Sequence, residues 1–204
     1  MYTRLLLLPM LAAPFSLTAQ DSTARALTPF RRGQWATQFA IGSGFTSLGF
    51  LKFRSPTRAL VFDLQLGGGH RERLIEDSTG SHFLGLDSEA FTQVRFGWRG
   101  YRGSATKVVA HYTIGVRAGF DHNAGTGLGS SVEYNTWTGG VFGDLGATYL
   151  VTPQLGLGVL GSAGLSYLSG TQRGEQQNGT VTKSRSWQIG GSAVAASLVA
   201  TLFF

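Results

Sequence analysis

Eight times along this chain, apolar and polar residues alternate with a period of two, and no helical stripe of useful length appears between the alternating stretches. A period of two puts successive side chains on opposite faces of a strand. The stretches cover roughly 33–43, 45–54, 58–71, 88–100, 106–120, 134–151, 155–168 and 186–204, and no proline interrupts the interior of any of them. In "RALVFDLQL" Leu60, Phe62, Leu64 and Leu66 share one face, while Asp63 and Gln65 take the other. In "AFTQVRFGWR" Val94, Phe96 and Trp98 oppose Gln93, Arg95 and Arg99. Tyr112, Ile114 and Val116 alternate with His111, Thr113 and Arg117, and Val141, Leu145 and Tyr149 with Gly140, Asp144 and Thr148. Each strand therefore has one apolar face and one face that carries charge at mid-strand.

The links between strands fall into two classes. "SPT" (55–57), "YRGSA" (101–105) and "TPQ" (152–154) are short, whereas 72–88, 121–133 and 170–183 are long and rich in Gly and polar residues. Short and long links alternate, apart from a tight first turn at "GSG", 42–44. One rim of an antiparallel meander is thus simple and the other elaborated, the pattern of a transmembrane barrel with short periplasmic turns and longer outer loops. "NGT" at 178–180 reads as a hairpin turn.

Composition decides which face is inside. Charged residues are 14% of the chain, well below the roughly 25% usual in soluble domains, and the polar faces are built from Gly, Ser and Thr with charges of both signs. Such a face is expected to be enclosed, with Asp63, Gln65, Gln93, Arg95, His111, Arg117 and Asp144 forming a paired interior network. Eight strands enclose a space that side chains can fill, which disfavours a general diffusion pore. The aromatics support this orientation: Trp35, Phe53, Trp98, Tyr149 and Phe204 fall near the short-turn rim, and Trp137, Tyr167 and Trp187 near the long-link rim. The second strand, "TSLGFLKF", is apolar on both faces, and the parity of Trp187 and Ile189 differs from that of Leu198 to Phe204, which requires a bulge near 190–193.

The chain closes on "AASLVATLFF", in which Leu198, Ala200, Leu202 and Phe204 share the outward face. This pattern resembles the carboxy-terminal assembly signal of bacterial outer-membrane barrels. Residues 33–204 resemble the small eight-stranded outer-membrane barrel family, with its OmpA-like and OmpX-like members. The resemblance implies recognition by the barrel assembly machinery and periplasmic chaperones, and contact with outer-membrane lipids and lipopolysaccharide. The expected fold is all-β: an eight-stranded antiparallel transmembrane meander barrel, monomeric, with both termini periplasmic. Before it, "MYTRLLLLPMLAAPFSLTAQ" has the form of a cleavable signal peptide over 1–19, leaving 20–32 as a short extension. On the last strand, a change at Phe204 is expected to lower assembly more than the same change at Phe203.

Other functions find little support. No Cys is present, which excludes a thiolate metal site, and the histidines lack ligand spacing, so no metal or cofactor is expected. The net charge of +6 is dispersed, and no nucleic-acid partner is expected. A lipid-modifying enzyme would need a base and a nucleophile at the outer rim, where Asp121, His122 and Ser130 are the candidates. An exported soluble barrel would turn the faces inside out, with Leu64, Val94, Ile114 and Leu145 lining a cavity and the charges in water. The expected role is structural or adhesive: a non-catalytic barrel that anchors a surface-exposed end.

Overall fold

The computed structural model describes residues 30–76, 82–103, 107–127 and 130–204. The expected signal peptide and most of the extension lie outside these. Eight antiparallel strands form one closed barrel in sequence order: β1 (Trp35–Gly42), β2 (Phe45–Ser55), β3 (Arg58–Glu76), β4 (His82–Gly103), β5 (Val108–Gly127), β6 (Ser130–Leu150), β7 (Leu155–Glu175) and β8 (Val181–Phe203). The ring is shut by β1 against β8, from Ala36 opposite Phe203 to Gly42 opposite Ser197.

The strands are very unequal. β1 and β2 have 8 and 11 residues, whereas β3 to β8 have 19 to 23. At roughly 3.3 Å per residue the long strands run about 60–75 Å, about twice the length of the roughly 9–11 residues that crossing a bilayer requires. The stretches 72–88, 121–133 and 170–183, expected as loops, are thus mostly strand. β3 pairs with β4 as far as Glu76 opposite His82, β5 with β6 as far as Gly127 opposite Ser130, and β7 with β8 as far as Glu175 opposite Val181. Their Gly and polar residues suggested turns, but the ladder partner across the hairpin continues the sheet. The last of these hairpins turns at Asn178 and Gly179, with Gly179 at φ 78° and Thr180 N donating to Asn178 Oδ1 at 2.9 Å.

The outward face is apolar around the barrel. Ile41, Phe62, Phe96, Ile114, Val141, Leu145, Val159, Leu165 and Leu198 all stand exposed. Beyond Trp137, Tyr167 and Trp187 the outward positions become polar, with Glu133 and Asn135 on β6, Arg173 and Glu175 on β7, and Lys183 and Arg185 on β8. Pairing slips between Ser162 and Gly164 on β7, opposite Ser192 and Ala195 on β8. This extra residue in β8 lets Trp187 and Ile189 face outward together with Leu198 and Phe204, which are 72%, 75%, 70% and 72% exposed respectively.

The base is closed by an aromatic layer absent from the sequence reading. Phe30, Phe53, Tyr101 and Phe203 are all buried, with the Phe30 ring centroid 4.6 Å from Phe53, 4.7 Å from Tyr101 and 5.1 Å from Phe203. Leu51, Ala59, Val109 and Leu150 complete it. Phe53, placed above among the outward rim aromatics, therefore points inward, and β2 is apolar on both faces because its lower inner face belongs to this layer. Phe30 lies in what was expected to be a free extension. A turn at Gly33, at φ 86°, returns the chain to β1, with Gly33 N donating to Phe53 O at 2.8 Å. Phe204 faces outward and Phe203 inward, as their spacing requires; the greater effect expected at Phe204 concerns assembly, whereas burial makes Phe203 the one that bears on stability. Phe203→Ala is expected to lower unfolding stability by about 3–5 kcal/mol, as for other buried Phe truncations, and Phe204→Ala much less. Urea unfolding of the refolded protein in detergent, followed by tryptophan fluorescence, checks the ranking.

Candidate functional site: the barrel interior and the open end

Above the aromatic base lies a charged layer. Inward positions of β3, β4, β5 and β6 bring Asp63, Arg95, Arg117 and Asp144 to neighbouring levels, with Asp63 opposite Arg95 and Arg95 opposite Arg117 in the ladder. Arg95 joins the two acids: one guanidinium nitrogen bonds Asp144 Oδ2, and another lies 3.8 Å from Asp63 Oδ2. The Arg95 guanidinium also covers the Phe142 ring at 3.8 Å. Gln65 donates to Asp63 Oδ2 at 3.3 Å, and Ser162 donates to Asp144 Oδ1 at 2.6 Å. Asp63, Arg95 and Asp144 are all buried, but only Asp144 takes a charge-assisted hydrogen bond from Arg95; Asp63 is held by its Coulomb attraction, and its Oδ1 has no partner among the described residues.

The remaining sequence-predicted interior residues surround this centre. Gln93 is half-buried and, with Gln65, Arg95 and Arg117, lines an internal cavity of about 100 Å³. Arg117 is half-buried and donates to Ser166 at 2.5 Å and Ser192 at 3.1 Å, with no carboxylate partner among the described residues. His111 is buried lower down, its ring 5.7 Å from Tyr101. A third guanidinium was left out of the expected network. Arg99 is buried, donating from Nε to Thr113 Oγ1 at 2.9 Å and from Nη1 to Gln38 at 2.5 Å. Its parity with Gln93 and Arg95 was the signal that could have found it. The hydroxyl partners Ser162, Ser166 and Ser192 gave no such signal, because Ser is common on any polar face.

The outward aromatics Trp35, Trp98, Trp137, Tyr149, Tyr167 and Trp187 all stand exposed on the outer face. Trp35 is covered by Lys52 Nζ at 4.6 Å, and Trp137 packs on Phe120 with centroids 4.9 Å apart. On β8, Leu198, Leu202 and Phe204 are exposed outward and Ala200 partly so, while Ser197, Val199, Thr201 and Phe203 are buried inward.

At the open end, Asp121, His122 and Ser130 do not assemble. Asp121 and His122 are consecutive in β5 and so point to opposite faces. Asp121 accepts from Thr138 at 3.2 Å, whereas His122 Nδ1 meets Asn135 Oδ1 at 2.9 Å and lies 3.8 Å from Glu133. Ser130 donates to Gly127 O at 2.7 Å. An acid and a base separated by the barrel wall cannot act on one substrate atom. The inverted soluble arrangement fails as well: Val94, Ile114 and Leu145 are outside, and Asp63, Arg95 and Asp144 are inside. No helix among the described residues is long and apolar enough to cross a membrane, which does not bear on strands.

A sealed eight-stranded ring with an apolar exterior and an ionic interior matches known proteins in its architecture. The chain has the outer-membrane β-barrel fold. It superposes on a major outer membrane protein from Thermus thermophilus with a TM-score of 0.51 at 15% identity, covering 84% of this chain and 99% of that one. It superposes on the outer membrane protein OprG from Pseudomonas aeruginosa with a TM-score of 0.52 at 9% identity, covering 87% of this chain and 98% of that one. These likenesses concern the fold alone and do not single out OmpA-like or OmpX-like barrels. No protein-family model and no curated protein matches the chain.

The charged layer makes a sharp stability prediction. Asp63→Leu strips Arg95 of one of its two acids, and the barrel is expected to lose about 3–5 kcal/mol, the scale for breaking a buried pair. Glu175→Ala removes an exposed contact 3.9 Å from Arg173 and should change stability by about 1 kcal/mol or less. Detergent-phase unfolding of both variants, measured side by side, checks the contrast.

Proposed function

We propose that this chain is a monomeric integral protein of the bacterial outer membrane, with both termini periplasmic and the long-strand end facing outward. It acts as a non-catalytic anchor that presents a strand-built vestibule at the cell surface. The observation that carries this reading is the outward apolar band, bounded by Trp35, Trp98 and Tyr149 at one level and by Trp137, Tyr167 and Trp187 at another. Water would leave that band uncovered, whereas a hydrocarbon slab covers it and selects amphipathic aromatics at both boundaries. Outer-membrane lipids and lipopolysaccharide are its surroundings. Leu198, Ala200, Leu202 and Phe204 serve as the recognition strand for the barrel assembly machinery, after escort by periplasmic chaperones.

The interior argues against conduction. A solute entering from the long end meets the Arg95 layer and then the aromatic base, two successive obstructions of opposite polarity. The native protein is expected to sediment with outer membranes, resist carbonate extraction and migrate differently on gels with and without boiling. Recovery as a detergent-free soluble monomer would overturn the membrane reading. In planar bilayers the refolded protein, and equally Phe30→Ala, should show no steady conductance, because loss of Phe30 leaves the ionic layer in place; an open channel in either would refute the sealed interior. The host's outer-membrane lipid profile should be unchanged by gene deletion, and a lipid species lost both on deletion and on His122→Ala, with barrel assembly intact, would make the protein an enzyme.

A further inference from the structure

The open end differs chemically from the layers beneath it. Register carries one row of inward positions around six strands: Gly69, Glu89, Asn123, Tyr134, Gln172 and Ser184. The row above begins with Arg71, Asp87 and Gly125. Together, the β3 to β6 portions of these rows line a cavity of about 600 Å³, within the usual range for small-molecule sites, about 300–1,000 Å³.

Four of its lining side chains, Arg71, Asp87, Glu89 and Asn123, are planar, two-headed hydrogen-bonding groups. A carboxylate accepts at two oxygens, an amide accepts and donates side by side, and a guanidinium donates as a fork. Such groups match pairs of neighbouring hydroxyls. Tyr134 adds an aromatic face with a polar tip, suited to the C–H face of a sugar ring. The side chains of Glu89, Asn123 and Tyr134 have no hydrogen-bond partner among the described residues, and Gln172 uses only its oxygen, accepting from Ser184 at 3.4 Å. In the layer below, by contrast, Asp63, Arg95, Arg99, Arg117 and Asp144 each make at least one side-chain hydrogen bond to another interior residue, although Asp63 Oδ1, Arg95 Nε and Arg117 Nε stay unpaired.

Two glycines keep this lining shallow. A Cβ on Gly69 would lie 3.3 Å from Glu89 Oε1, and one on Gly125 would lie 2.8 Å from Asp87 Oδ1. The carboxylates therefore rest against the wall and the space between them stays clear. The wall is also incomplete on one side. The β1–β2 hairpin turns at Gly42 to Phe45, while β3 continues past Gly67 and β8 begins far above Ser197. A chain-like ligand can lie across the row and leave through that side. The charged groups lining the cavity are Asp87, Glu89 and Arg71, two acids to one base, which disfavours phosphorylated, sulfated or uronate-bearing ligands.

We propose that the row Glu89, Asn123, Tyr134 and Gln172 is a glycan site that takes a neutral or amino-substituted oligosaccharide, and not the anionic core of lipopolysaccharide. This rests on the reading that the long-strand end faces outward. The test titrates refolded protein of verified heat-modifiability with tetramers of glucose, N-acetylglucosamine, glucosamine and galacturonic acid, and with purified lipopolysaccharide, by calorimetry. At least one of the first three should bind, with saturation-transfer NMR showing contact to the Tyr134 ring. Tyr134→Ala and Asn123→Ala should each weaken that binding by about tenfold, the loss expected for one good contact. Glu89→Gln should reduce any preference for glucosamine over glucose. No binding of the three by a heat-modifiable barrel, binding indifferent to Tyr134→Ala and Asn123→Ala, or tighter binding of galacturonate or lipopolysaccharide would each overturn the proposal. If the protein instead proves soluble without detergent, only the membrane reading falls, since the same titration is then run on the soluble monomer.

Discussion

A β-sheet in hydrocarbon can have no open edge, because an unpaired backbone N–H or C=O there costs several kcal/mol. On the membrane reading proposed above, the rest of this molecule follows from meeting that condition with eight strands. Pairing β1 with β8 closes the sheet, and closure converts the inner face into a narrow enclosed space that side chains have to fill. Charges inside must then compensate one another, and Arg95 does so by reaching Asp63 and Asp144 from β4 toward β3 and β6. The hydrogen bonds that brace the barrel across its width are others, from Arg99 on β4 to Gln38 on β1 and from Arg117 on β5 to Ser192 on β8.

The interior is graded along its axis. Phe30, Phe53, Tyr101 and Phe203 make an apolar base, the guanidinium and carboxylate groups make the middle, and polar side chains that include Glu89, Asn123 and Tyr134 line the open end. The side chains of the lower two layers are the buried ones, and those of the open end are more exposed. At the level of Tyr134 and Asn123 the wall is held by the strand ladders themselves.

Much of the architecture was legible because a two-residue period is a direct image of strand geometry. Leu198, Leu202 and Phe204 against Ser197, Thr201 and Phe203 could be assigned to faces from spacing alone, and the parity conflict at Trp187 called for a bulge near 190–193, overlapping the slip found between Ser192 and Ala195. Strand length was not legible. "DHNAGTGLGSSVE" has the composition of a loop, and its pairing with its own return strand depends on neighbours that composition does not encode. Phe30 was invisible for a different reason: it precedes the first strand and has no periodic partner, and only the turn at Gly33 brings it under the barrel. Asp121 and His122 looked like a catalytic pair because adjacency in sequence suggests proximity, but in a strand it guarantees opposite faces.

The unequal strands also give the barrel a mechanically weak meridian. The ladder from Ala36 to Gly42 against β8 is far shorter than the one that ties β7 to β8 from Leu155 to Glu175. Tension applied around the circumference would therefore part the wall beside β1 first, and the tear would have little distance to run. Phe203 and Phe30, packed together directly beneath that line, act as a rivet across it. A wall that zips shut along its shortest join needs to find only a brief register to be complete.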